Sequence, residues 1–249
     1  MAPLFNQNFL TWSNPSINRG GSVLPVVSGL IAHYDAADLT TIDKDGSDLV
    51  SEWRNKVVDD LFTMTQATGA NKPTWISAGQ NGYDVIRCAA SDFMTSGAFT
   101  DVDQPLTFFW AVKFPAESTS IRELIRGVSG TTIQIGLGNS ATRSNQLFSQ
   151  MDSDLMDGDA EVGIQSSWHL VRHIMNGASS SFEYDGAASG TGGQGATKFR
   201  QFKFSSSTSA SSWIGDYGEI LIYDEVVSSG DTGLIETYLQ DKWATPALP

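Results

Sequence analysis

The chain has 249 residues, 40% of them hydrophobic and 10% aromatic, enough for one large β-sandwich with appendages. A formal charge of −13, from 15 Lys plus Arg against 28 Asp plus Glu, excludes nucleic acid and anionic membrane surfaces as partners. The single cysteine, Cys88, excludes an intrachain disulfide and reads as a small buried strand residue.

Residues 1–27 show neither helical nor strand periodicity. They carry isolated apolar anchors, Phe5, Phe9, Leu10 and Trp12, among asparagines and the Gly20-Gly21 pair. Such a segment is either a disordered tail or an arm laid on a surface, its own domain's or a neighbouring subunit's. Trp12 has no core of its own and suits a partner pocket. We expect 1–27 to be an extended docking arm and 28–249 to be one domain. No basic start followed by an apolar run marks a signal peptide, and no stretch approaches the ~18 apolar residues of a membrane span. The one Asn-x-Ser match, Asn14-Pro15-Ser16, is disqualified by its proline.

From residue 28 onward short strands alternate with turns. Residues 29–35 lead into a polar turn; 50–56 alternate like an edge strand; Asn81-Gly82 signals a hairpin before 83–88. Residues 106–114 are strongly apolar, with Phe108, Phe109 and Trp110. Further strands are expected at 122–126, 132–137, 146–151, 168–174 and 181–184, and 199–204 alternates Phe with polar residues. Ile220 and Ile222 share one face, and Glu219, Leu221 and Tyr223 the other, which suits a strand buried on both sides near the middle of a sheet. Gly215 and Gly218 are small where a neighbouring backbone passes closely. Leu234, Ile235, Tyr238 and Leu239 make a helical stripe, capped by Ser228 or Ser229 and stopped before Pro246. The fold class is all-β: a two-sheet antiparallel sandwich with a short C-terminal helix.

Several of these stretches together resemble one family. They are Gly29-Leu30 with Asp35-Ala36-Ala37-Asp38-Leu39, then Trp53-Arg54-Asn55-Lys56, Ala70-Asn71-Lys72-Pro73-Thr74, Trp168-His169 and Tyr184-Asp185-Gly186. The last is Gly215 to Asp224, with its Glu219-Ile220 and Ile222-Tyr223-Asp224. The pattern is similar to the laminin-G-like, concanavalin-A-type jelly roll found in bacteriophage virion proteins, over about residues 28–245. The resemblance implies a non-enzymatic virion protein: a capsid decoration protein, a head fibre or a tail-associated receptor binder. Its arm would dock to other virion proteins in a homo-oligomer, and its sandwich would offer a weak site for host-surface glycan. The alternatives are a bacterial secreted or surface carbohydrate-binding module, and a polysaccharide-degrading enzyme of the same fold.

Asp152, Asp154, Asp157 and Asp159 form the densest acidic cluster, read as a loop after the 146–151 strand. Calcium is the cation such a set would take, although the spacing is not that of an EF-hand. The competing reading is a solvated acidic loop. Gly190, Gly192 and Gly195 match Gly-x-Gly-x-x-Gly, but a strand rather than a helix follows, so this is a turn and not a nucleotide loop. A retaining glucanase places paired carboxylates on one strand. Here Glu183 and Asp185 are followed by Ala188 at the third position. An alginate-lyase-like reading finds Arg122-Glu123-Leu124 and Gln134-Ile135 but meets Gly136 at the histidine's place. His169 and His173, four apart on a strand, are roughly 13 Å apart at ~3.3 Å per residue, too far for one ion. No catalytic residue is assigned.

Overall fold

The computed structural model describes residues 23–57, 62–115, 120–128, 133–140, 143–151, 154–161, 166–208 and 210–246. Phe5, Phe9, Leu10, Trp12 and Asp152 lie outside these residues.

Among them the strands are, in chain order, β1 (Leu30–Asp35), β2 (Ile42–Lys44), β3 (Val50–Trp53), β4 (Met64–Thr65), β5 (Thr74–Gln80) and β6 (Tyr83–Cys88). Then come β7 (Met94–Ser96), β8 (Leu106–Lys113), β9 (Arg122–Gly127), β10 (Ile133–Ser140), β11 (Arg143–Met151) and β12 (Asp154–Glu161). The last are β13 (Trp168–Met175), β14 (Ser180–Tyr184), β15 (Ala187–Gly192), β16 (Phe202–Phe204) and β17 (Gly215–Tyr223), followed by the helix α1 (Ser229–Trp243). They build two antiparallel sheets. The first runs β15-β14-β13-β8-β17-β6-β5, with β1 also paired to β17; the second runs β12-β11-β10-β9-β16-β7-β4-β3-β2.

The inner faces meet in an aromatic core. Tyr34 packs edge-on against Trp53 and Phe204, and Phe204 lies at a tilt against Tyr217. Phe108 and Trp110 stack with each other and with His173. Two buried phenols are satisfied within the sandwich: Tyr217 Oη donates to the Leu124 carbonyl at 2.9 Å and Tyr34 Oη to that of Phe62 at 2.6 Å. A buried hydroxyl without such a partner would lose about 1–3 kcal/mol.

β17 is the central strand that its two apolar faces predict. β8 lies along one side, while β6 (at Gly215 to Tyr217) and β1 (at Glu219 to Tyr223) share the other. The ladder shifts register at Gly218. A Cβ there would sit 2.7 Å from Trp243 and 2.9 Å from Trp168. The close neighbours are thus two stacked indoles (centroids 5.7 Å apart), not the backbone expected from sequence. Asn81-Gly82 and Asp185-Gly186 both turn with positive φ at each residue (47° and 75°, 46° and 75°), the two-residue turn that matches strand twist.

The Ser228 hydroxyl accepts from the Asp231 amide and caps α1, as the sequence predicts. The buried stripe is Ile235, Tyr238, Leu239 and Lys242, whereas Leu234 is 58% exposed. The helix packs over the outer face of the first sheet, on β13 and β8. The acidic stretch expected to be a loop is instead strand β12, paired with β11. Gly190 and Gly192 belong to β15, with no helix following them.

Candidate functional site

The outer face of the first sheet is taken by α1. Among the described residues no helix covers the outer face of the second. Cross-strand register lines up one continuous row there: Asp43, Glu52, Thr65, Thr95, Lys203, Arg126, Gln134, Gln150 and Leu155. Each faces outward because its chain neighbours, among them Trp53, Met64, Met94, Phe204, Ile125, Ile135, Met151 and Met156, are buried in the core. The row is polar up to its last member, and each residue in it is half-buried or exposed. It therefore offers hydroxyl, amide and charged groups in a line across nine strands. Such a surface suits a chain of hydroxyl-rich units better than an apolar ligand.

At its centre β9 carries a bulge, where the ladder to β10 shifts between Ile135 and Gly136. The extra residue returns Glu123 to the same side as Arg126, three positions on, and the two pair at 2.6 Å. Glu123 is only 1% exposed, and its second oxygen, Oε2, has no hydrogen-bond partner. The bulge also brings the Arg122 carbonyl to 1.9 Å from where a Cβ on Gly136 would stand, so glycine is the only residue that fits. That excludes the histidine of the alginate-lyase-like motif on steric grounds. Lys203, directly opposite Arg126, lies 4.8 Å over the Phe93 ring and donates to Ser207 Oγ at 3.2 Å. Burial and the neighbouring Arg126 charge lower its pKa.

A second polar cluster lies under α1. Glu219, fully buried, accepts from His33 Nε2 (2.7 Å), Tyr238 Oη (2.7 Å), Lys242 Nζ (2.7 Å) and Trp243 Nε1 (2.9 Å). Burial alone would raise its carboxyl, but the His33 hydrogen bond and the Lys242 charge outweigh it and hold the pKa at about 2. His33, Asp35 and Glu219 are close enough to bind a metal, yet Lys242 Nζ already bridges Asp35 (2.8 Å) and Glu219, so an ammonium takes the cation's place. This cluster ties the helix to β17 and β1. A crevice of about 300 Å³ opens between the ends of β6, β8 and β17, lined by Arg87, Lys113 and Asp216 among others. Arg87 and Asp216 there satisfy each other in a two-pronged pair at 2.7 and 2.9 Å.

Of the sequence-predicted metal set, Asp154 and Asp157 are exposed on β12, and the even pairing from Met151–Asp154 to Phe148–Asp157 places them on opposite faces. Asp152 lies outside the described residues, as does the side chain of Asp159. His169 and His173 bind separate partners, Asp185 (2.7 Å) and Gln194 (2.8 Å), inside the core. Burial drives the His173 pKa down to about 3. Trp53, Trp110, Trp168, Trp213 and Trp243 are buried, while Trp75 is half-buried, with Lys44 4.4 Å over its ring. Sequence reasoning did not find Thr95, Lys203 or the pairing of Glu123 with Arg126. The outward Lys203 was visible in the alternation of 199–204, but its neighbours come from distant parts of the chain.

The described geometry agrees with solved β-sandwiches from carbohydrate-active proteins. A mutant GH54 α-L-arabinofuranosidase soaked with 4-nitrophenyl α-L-arabinofuranoside superposes with a TM-score of 0.61 at 11% identity, over 78% of this chain and 51% of that one. Domain 4 of AbnA, a GH43 extracellular arabinanase from Geobacillus stearothermophilus, in complex with arabinotriose, gives 0.57 at 15% identity over 83% and 97%. The Trypanosoma rangeli sialidase with the inhibitor DANA gives 0.55 at 14% over 93% and 36%. The chain thus spans about half of the arabinofuranosidase and 36% of the sialidase. No family model matches the sequence, and no curated protein does. At these identities what is shared is the fold: a jelly-roll sandwich of the kind that glycoside hydrolases use.

The comparisons correct one expectation. Missing catalytic spacings and the family resemblance point to a non-enzymatic chain, but the solved structures it resembles are glycoside hydrolases or domains of them. Missing motifs test only the spacings that are looked for, and carboxylates brought together across strands have no fixed spacing in sequence.

Proposed function

We propose that the chain is a carbohydrate-binding sandwich, with the row from Glu52 to Gln150 on the open sheet as its glycan groove. The observation that carries this reading is the unbroken polar row in register across the uncovered face. The likeness to domain 4 of the arabinanase, matched over 97% of that structure's length, supports a carbohydrate-binding module more than a virion subunit. The virion role rests on the family resemblance and the arm together; that role, docking to other virion proteins through Phe5, Phe9, Leu10 and Trp12, and homo-oligomerisation are a separate proposal.

Isothermal titration of the full chain with arabinotriose, trigalacturonate and 3′-sialyllactose tests the groove, alongside a Thr95→Trp variant that fills its middle. Binding of at least one sugar, lost in Thr95→Trp with the melting temperature unchanged, is the expected result. Binding that ignores this substitution, or binding of none of the three, overturns it. Release of reducing ends from the same sugars reads hydrolysis separately.

A further inference from the structure

Two cations face each other at the middle of the row. Arg126 and Lys203 are direct cross-strand partners on one face. Like charges in that position repel and cost a sheet stability. Arg126 is compensated by Glu123, but Lys203 makes no ion pair among the described residues; its partners are a serine hydroxyl and a phenyl ring. This is unusual on a chain of net charge −13, where a carboxylate is the cheapest neighbour to find. Glu123 supplies one negative charge against two positive ones, so the centre of the groove carries a local excess of +1 by simple count. Half-burial in the sheet weakens solvent screening of that excess.

Resting on the glycan-groove reading, we propose that the Lys203–Arg126 pair receives the carboxylate of an acidic sugar residue. The carboxylate replaces water around Lys203 and relieves the repulsion across the strands. Phe93 beside Lys203 gives the sugar ring an apolar edge. The shared chemistry is a sugar-borne carboxylate, whether from a uronic acid or from a sialic acid.

The test compares each acid with its neutral counterpart on the full chain: trigalacturonate with its methyl ester, 3′-sialyllactose with lactose, and arabinotriose as a further neutral sugar. One acid should bind about tenfold or more tightly than its counterpart, the scale of one charge-assisted hydrogen bond. Lys203→Gln should abolish that preference, read as the ratio of acid to neutral affinity, without lowering the melting temperature, and Lys203→Arg should restore it. If neutral sugars bind and no acid is preferred, or if Lys203→Gln keeps the preference, this inference falls and the groove stands. If nothing binds, both fall. Uronate and sialate are separated by which pair shows the difference.

Discussion

Glu219 is where a single side chain carries the most structural weight. It is a buried anion with four donors, and removing its charge leaves Lys242 buried beside Asp35 alone. Breaking such a cluster costs about 3–5 kcal/mol, so Glu219→Gln should lower the denaturant midpoint at pH 7 by a corresponding amount. The pH dependence follows from the carboxyl being held at about 2 rather than its usual 4.5. A depressed folded-state pKa gives stability that is fully present above the unfolded value and lost as pH falls towards the folded one. Urea melts of the two proteins should therefore converge between pH 4.5 and 2; a constant gap across that window would show that Glu219 is not the anion described. Gly136 is the second decisive residue. Because a methyl group there meets the Arg122 carbonyl, Gly136→Ala should destabilise by about 3 kcal/mol and disturb the bulge that presents Glu123.

At the scale of elements, α1 is fixed by one cap and one face. Ser228→Ala removes the acceptor for the Asp231 amide and should cost about 1 kcal/mol. Leu239→Ala should cost about 2–5 kcal/mol, because the side chain is fully buried against the first sheet. Leu234→Ala, at a mostly exposed position, should stay within about 0.5 kcal/mol. Melting curves of the three variants check this order; a Leu234→Ala loss equal to that of Leu239→Ala would contradict the observed face. The helix period was legible in the sequence, but its phase was not. Leu234 and Ile235 are adjacent and equally apolar, and the choice between them was made by the sheet beneath.

At the scale of the whole molecule, the docking proposal for the arm can be put to a direct test. Residues 24 and 27 already pack partly against the core, so the deletion should end at residue 22 to leave the domain intact. Light scattering of the full chain and of the deletion should then give an oligomer and a folded monomer. Two identical monomers would remove the arm as an anchor and leave the groove reading untouched.

The sandwich, its hairpins, its central strand and its final helix were all legible in the sequence. Apolar alternation, Asn-Gly and Asp-Gly pairs and a serine cap are local signals, each set by the conformational preferences of a few neighbouring residues. The groove was not, because it exists only as register. Lys203 and Arg126 are neighbours through strands far apart in the chain, and Thr95 and Thr65 through another pair. Pairing of that kind is decided by how two whole faces bury their apolar sides together. The acidic stretch shows the same division: its carboxylates were plain in the sequence, but only pairing with β11 made it a strand and sent Asp154 and Asp157 to opposite faces. The sequence by itself determined the apolar alternation of the strands and the tight turns between them, since strand period and turn chemistry act locally. The tertiary structure alone decided which polar side chains share the open face, since that is a property of strands meeting across the sheet.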